Sequence, residues 1–481
     1  MTPTKPGLTH FGALKQYLPV NKDGVYLFVK ALTAGILAFS LLSCGIYKPT
    51  PDLERLYRSA REDRPQPPVI LIPGVLGTRL HDNAGHEVWP GSTLKLLTSR
   101  YRELALTIGP QSLRPGADDL RPSGLFESAT GRDYYSRILR VLEGAGGYLA
   151  GSAGTPVTDT RPRYYVLTYD WRQDAITTVG LLDRLIEQIR ADNEQPHLQV
   201  DIIGHSMGGL IARYYARYGT QDLLDGNEFE VTHSGAQKIR RLILVGTPNL
   251  GSVEAMHSLI AGTNLGFRET FPEVIMTMPA IYQLFPHALH EWIYTTEGKR
   301  LERDQFDAYI WKRFEMGPWS PALRRRIRER MGESEGQQYL LTLETYFRHH
   351  LERARRFTWS LTVPQPEDGV QPIIFGGDCD LTPARVVVEE VDGESILRLW
   401  PEQIAHAVPG VDYEALMMEP GDGTVTKASL LSRDVLDPAV TRHPYLHFSA
   451  LSVFFICERH DVLTSNITFQ DNLLQVLLSV D

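Results

Sequence analysis

The chain has 481 residues, of which 42% are hydrophobic and 22% charged, and a formal charge of −9. Those values fit an enzyme-sized globular chain with material for one large core plus insertions, and they exclude a disordered polypeptide. The acidic balance gives no reason to expect a nucleic-acid partner.

Near the N-terminus, Ala31 to Leu42 is an apolar run preceded by Lys22 and Lys30. It is short for a membrane span and has the length of a signal-peptide core. The run ends in Leu41-Leu42-Ser43-Cys44-Gly45, which resembles a bacterial lipoprotein cleavage site with a lipidated cysteine. We therefore expect a signal segment over 1–43, lipid attachment at Cys44 and a proline- and charge-rich linker over 44–66. An uncleaved anchor helix from about Val25 to Ile46 is the alternative. Either one puts the body in the cell envelope, outside the cytoplasm and against a membrane surface. Only Cys379 and Cys457 remain after Cys44. Both sit in late strand-like runs, so a disulfide and two buried free thiols are both open.

The fold opens at Pro68 to Ile72, a short aliphatic run that reads as a buried strand, followed by the turn Pro73-Gly74-Val75-Leu76-Gly77. From Thr78 to Arg163 the chain reads as irregular, apart from a helix over about Asp133 to Glu143 with Tyr134, Tyr135, Ile138 and Val141 on one face. Tyr164 to Tyr169 is the next strand and leads into Asp170-Trp171-Arg172. Leu181, Leu182, Leu185, Ile186 and Ile189 then mark an amphipathic helix.

The stretch Leu198 to Ile203 is another buried strand, and Gly209 to Tyr218 has helix-forming content up to Gly219. Between them lies Gly204-His205-Ser206-Met207-Gly208, the Gly-x-Ser-x-Gly turn of a nucleophile elbow in its required strand–turn–helix context. The serine needs a strained turn to project its hydroxyl, and the glycines admit the neighbouring backbones. The amides of Leu76 and Met207 are the expected oxyanion donors. Leu242 to Val245 is a further strand, ending in Gly246-Thr247-Pro248. Strands alternating with helices predict an α/β chain with a mostly parallel, doubly wound sheet, in the pattern of the α/β-hydrolase fold.

Pro73-Gly74-Val75-Leu76-Gly77, Asp170-Trp171-Arg172, the elbow, Gly246-Thr247-Pro248 and Gly421-Asp422-Gly423-Thr424-Val425 stand together in one order. In this the chain resembles the lecithin:cholesterol acyltransferase family of α/β-hydrolases, in a bacterial lipoprotein form, from about Val69 to the C-terminus. The resemblance implies a serine-dependent lipid acyl hydrolase or O-acyltransferase acting on a lipid-borne or membrane-borne ester. Thr270-Phe271-Pro272 through Tyr282-Gln283-Leu284-Phe285-Pro286 looks like that family's lid region.

The core is expected over 67–252 and 362–481, with a helical cap over 253–361 whose aromatics pack it or line an acyl groove. The basic segment Arg324 to Arg330 reads as a solvated helix face or an anionic head-group site. Beyond the cap come Pro372 to Gly377, then a hairpin with arms Ala384 to Glu390 and Ser395 to Trp400 turning at Asp392-Gly393.

Asp422 then offers the carboxylate that orients a catalytic imidazole, with Asp378 and Asp380 as rivals; the family match favours Asp422. His443, His447 and His460 follow. The base belongs between the last strand, Leu451 to Cys457, and the last helix, Asn466 to Ser479. That junction holds His460, much as the family's histidine precedes its final helix. The expected triad is Ser206, Asp422 and His460, without cofactor fingerprint or metal-ligand spacing. A thioesterase or deacylase of acylated proteins, and a catalytically silent envelope binding protein, are the alternatives.

Overall fold

The computed structural model describes residues 50–62, 66–109, 113–116, 119–364 and 369–479. The signal segment, Cys44 and linker residues 45–49 and 63–65 fall outside the described residues.

Seven strands form the central sheet: β1 (Val69–Ile72), β2 (Leu149–Ala150), β3 (Arg163–Val166), β4 (Val200–His205), β5 (Ile239–Val245), β6 (Pro372–Gly377) and β7 (Ser452–Ile456). Their spatial order is β7-β6-β5-β4-β1-β3-β2, and every pairing is parallel. The aliphatic runs follow from burial on both faces. Along β1, Ile70 and Ile72 pack into one apolar cluster, while Val69 and Leu71 pack into another on the opposite face.

Helices α1 (Ser136–Glu143) and α7 (Ile467–Leu478) cover the second face through Ile138, Leu142, Phe469, Leu473 and Leu477. Helices α2 (Ala175–Asp192) and α3 (Met207–Tyr218) cover the first through Val179, Leu182, Ile186, Leu210 and Ile211. On α1 the structure buries Leu142 and leaves Val141 half-buried, because the helix starts at Ser136 and turns that residue to the rim.

The stretch expected to be irregular contains a small antiparallel sheet of Thr78–His81, Glu87–Trp89 and Arg121–Leu125. Its strands are three to five residues long, and Pro122 and Gly124 interrupt the last, so no alternation marked them. The late hairpin forms with Asp392 and Gly393 both at positive φ. Its first arm, Val386–Val391, pairs in parallel with Ile293–Thr295, so it belongs to a separate three-stranded sheet that reaches into the insertion.

Within the insertion, α4 (Val253–Ala261) leads to segment 272–286, and α5 (Pro321–Met331) packs against the long α6 (Glu333–Ser360). Trp292, Phe306, Trp311, Tyr346, Phe347 and Phe357 are buried in its core. Arg324 pairs with Glu344, Arg326 with Glu273 and Arg328 with Glu333, which favours a helix face committed to internal ion pairs. Among the described residues, no helix is long and apolar enough to cross a membrane.

Candidate active site

Ser206 follows β4 and caps α3 with φ 54° and ψ −124°, a strained conformation for a residue with a Cβ. Its neighbours hold that strain in place. The Ser206 amide donates to the Val245 carbonyl at 2.8 Å, and the Gly209 amide returns to the Ser206 carbonyl at 3.0 Å. The flanking glycines answer to space: a Cβ on Gly204 would meet the Gly209 backbone at 2.6 Å, and one on Gly208 would land on the Ile72 carbonyl.

His460 opens the short helical turn His460–Ser465 after β7, and Asp422 sits on the loop after Met418–Gly421. Their side chains meet Ser206 in line. His460 Nδ1 lies 2.8 Å from Asp422 Oδ2, and His460 Nε2 lies 2.9 Å from Ser206 Oγ. A carboxylate only accepts, so Nδ1 carries the proton, and Nε2 accepts from the Ser206 hydroxyl. Asp422 Oδ1 is occupied by the amides of Thr424 at 3.0 Å and Val425 at 2.7 Å, which fixes the carboxylate's orientation. The His460 amide also donates to the Asp422 carbonyl at 2.9 Å. Burial alone would lower the His460 pKa. The charge and hydrogen bond of Asp422 outweigh it, and the net shift is upward from 6.5.

The rival residues take no part in this line. Asp378 pairs with Lys427, and Asp380 belongs to the strand that pairs with Met418–Gly421. His443 caps the Tyr445 amide, and the His447 amide donates to the Thr362 carbonyl. Cys379 and Cys457 form a disulfide across the ends of the adjacent strands β6 and β7, three residues before His460.

The Pro73–Thr78 turn is held at nearly every polar atom. Tyr169 donates to the Pro73 carbonyl at 2.6 Å, and the Gly74 amide donates to Tyr135 Oη at 3.0 Å. Gly77 N–H closes the turn on the Gly74 carbonyl at 3.1 Å. Trp89 donates to the Leu76 carbonyl at 2.8 Å, Phe126 to that of Gly77 at 2.8 Å, and Trp171 to that of Thr78 at 3.1 Å. These anchors force Leu76 to φ 65°, where a side chain is strained. Among the described residues, the amides of Leu76 and Met207 have no acceptor within the chain. Trp171 thereby gives the Asp170-Trp171-Arg172 motif a local task, and Arg172 is clamped by Asp170 and the Leu104 carbonyl. The anchoring roles of Tyr135, Tyr169 and Trp89 carry no sequence signal, because each acts across 13 or more residues.

Two cavities meet at Ser206, His460 and Leu76. The larger, of about 680 Å³, is bordered by Arg132, Arg459 and Asp461 as well as by Phe126 and Tyr134. The smaller, of about 200 Å³, is walled largely by apolar groups that include Trp171, Ile275, Met278, Ile281 and Leu284. Segment 272–286 supplies four of those five. The buried aromatics of the insertion line neither cavity. Among the described residues, no group of three or more His, Cys, Asp or Glu side chains is arranged to hold a metal ion.

The family model described as lecithin:cholesterol acyltransferase matches residues 162–320, a stretch that includes Ser206 but neither Asp422 nor His460. Among solved structures, a chain of the Tle4–Tli4 complex is 14% identical, with 85% of this chain and 98% of that one covered, at a TM-score of 0.53. The mature lipase BlEst2 of Bacillus licheniformis is 12% identical over 87% of this chain and 94% of that one, at a TM-score of 0.34. EstA from Clostridium botulinum is 13% identical over 86% and 87%, at a TM-score of 0.29. At such identities the likeness is one of fold, and the first comparison carries it. No curated protein sequence matches the chain.

Proposed function

We propose that this chain is a carboxylic ester hydrolase or acyltransferase of the lecithin:cholesterol acyltransferase-like α/β-hydrolase kind, and that it cleaves lipid esters through Ser206, His460 and Asp422. The observation that carries the reading is the hydrogen-bonded line from Asp422 through His460 to Ser206, set where an apolar cavity meets a polar-rimmed one. The smaller cavity fits an acyl chain, and the larger fits the alcohol portion of a phospholipid-like ester.

The chemistry follows from the geometry. His460 Nε2 takes the Ser206 proton as Oγ attacks the carbonyl carbon, and the Asp422 carboxylate stabilises the imidazolium. Leu76 and Met207 amides receive the oxyanion, each donor contributing about 3 kcal/mol in comparable sites. The tetrahedral intermediate collapses by breaking the bond to the alcohol oxygen, which takes the proton from His460. Water or a second alcohol then gives its proton to His460 and attacks the acyl-enzyme, releasing a fatty acid or a new ester and restoring Ser206.

The test is incubation of the purified protein with vesicles of acyl-labelled phospholipid plus a long-chain alcohol, beside Ser206→Ala. Ser206-dependent free fatty acid supports hydrolysis, and labelled ester of the alcohol supports transfer. Neither product, together with no labelling by a fluorophosphonate, overturns the reading. The apolar run before Cys44 further supports a lipid anchor there, which fatty-acid labelling of the wild type, lost in Cys44→Ser, would establish.

A further inference from the structure

We propose that Tyr135 and His205 are positioning residues that lock the base loop and the oxyanion turn together behind the nucleophile; the inference rests on the hydrolase reading above. Three hydrogen bonds make one line. The Gly74 amide reaches Tyr135 Oη at 3.0 Å, Tyr135 Oη reaches His205 Nδ1 at 2.7 Å, and His205 Nε2 reaches the His460 carbonyl at 3.1 Å.

The direction of every proton in that line is determined. A carbonyl has no hydrogen to give, so His205 Nε2 carries the proton and donates to His460. A neutral imidazole carries one N–H, so Nδ1 accepts from the Tyr135 hydroxyl. The Tyr135 oxygen then accepts from Gly74. Burial, with the nearby His460 next, holds the His205 pKa down at about 3, so the ring is neutral and the line is single-sensed. A charged His205 would present a second N–H to Tyr135, whose oxygen already takes the Gly74 proton and whose own O–H would then lack an acceptor.

The line joins elements that sequence separates widely. Gly74 belongs to the turn that carries Leu76, Tyr135 caps α1, and His205 is the residue before the nucleophile. His460 is thereby held at both main-chain polar atoms, its amide on Asp422 and its carbonyl on His205. Only the side-chain torsions remain for Asp422 to fix. The same face of the base loop is fastened further along, where Thr464 Oγ1 donates to the Tyr134 carbonyl and Ser465 Oγ to that of Asp133 at 2.9 Å. Loss of the His205 donor would free the His460 carbonyl and let Nε2 drift from Ser206 Oγ, and small displacements at a reacting centre cost rate steeply.

Three substitutions and one spectrum test this. Tyr135→Phe removes the hydroxyl; His205→Gln keeps a donor toward His460 and removes the acceptor for Tyr135; His205→Asn does the reverse. Each should lower kcat about 10-fold with KM within about twofold, and Tyr135→Phe should add little to His205→Gln, because the three groups act as one unit. Nitrogen-15 histidine spectra of the wild-type protein should report a neutral, Nε2-protonated His205 at ~pH 5, where an ordinary imidazole is charged. Folded variants with wild-type kcat, or an Nδ1-protonated or charged His205, would overturn the proposal. A wild-type protein with no Ser206-dependent turnover would overturn the hydrolase reading instead, and the spectrum would still decide for or against the relay.

Discussion

The proposed nucleophile elbow and base loop place Ser206 Oγ and His460 Nε2 2.9 Å apart, yet they are built in opposite ways. The elbow's form is written within a dozen residues, as a buried strand, a serine at φ 54°, close-packed glycines and the first turn of α3, and the Val245 carbonyl and Ile72 backbone of the neighbouring strands hold it there. The base loop has no such internal logic. His460 is set by Asp422 and His205, Thr464 by Tyr134, and Ser465 by Asp133. A reactive serine can thus be specified by local strain, whereas a base of correct tautomer and aim has to be specified by distant partners. Perturbations on the two sides should therefore differ in kind.

The largest effect belongs to the elbow. Ser206→Ala removes the proposed nucleophile and should lower turnover of an ester substrate by about a millionfold, as loss of the nucleophile does in comparable triads, with the melting temperature nearly unchanged. Activity retained within 10-fold would mean that the serine is a structural turn. On the other side, Asp422→Asn should cost about 10⁴-fold in kcat, because an amide can donate to the imidazole and stabilise the wrong tautomer.

The same substitution should move the pH profile, and the sign is determined. The proposed catalysis needs neutral His460, and Asp422 raises its pKa above 6.5 against the pull of burial. The acid limb of kcat/KM should therefore lie above 6.5 in the wild type and move to lower pH in Asp422→Asn, where only the weaker pull of the Asp461 charge opposes burial. The stability that the charged pair contributes runs the other way from activity. It is fully present below the unfolded imidazole value of 6.5 and disappears as pH rises through the raised folded value. A limb that stays put in the variant would show that Asp422 does not set the base.

This contrast also sorts what the sequence made legible. Six strands of the seven-stranded parallel sheet follow from aliphatic runs alternating with amphipathic helices, and Ser206 from glycine spacing, because both signals lie within one turn or strand; the two-residue β2 lies in the stretch read as irregular. Asp422 and His460 were legible only as positions in an order, serine then acid then histidine, and through a family resemblance. The small sheet at Thr78–His81 escaped because its strands are short and mixed in polarity. Tyr135 and His205 escaped for a different reason. A tyrosine on a helix face reads as core, and nothing in the chain announces that its hydroxyl will meet a histidine 70 residues away. The cysteines stood open between a bridge and free thiols, since spacing carries no register; the parallel pairing of β6 with β7 brings them to 5.1 Å between Cα atoms.

That bridge lies on the base side and offers an intermediate test. It closes a loop with a sequence separation of 78, and loop-closure entropy alone assigns it about 4 kcal/mol. Cys379→Ser with Cys457→Ser should accordingly lower the denaturation midpoint clearly. It should also lower kcat more than KM, because the freed end of β7 leads directly into the His460 loop and that of β6 into Asp380–Pro383, which pairs with the strand before Asp422. A drop in stability with unchanged kcat would separate the bridge from the base loop.

The smallest effect is the most discriminating. Ser465→Ala removes a hydroxyl that donates to the Asp133 carbonyl and lies 2.9 Å from its carboxylate, a loss of about 1 kcal/mol. Too little stability is lost to disturb the global fold, so any consequence is local. If the base loop depends on distant partners, amide exchange over residues 458–466 should rise while that over 204–210 stays as in the wild type. The elbow draws its order from the sheet and from α3, neither of which touches the removed hydroxyl. Equal rises in both segments would mean that the elbow also leans on the base loop, and that the two halves of the site stand or fall as one cooperative unit.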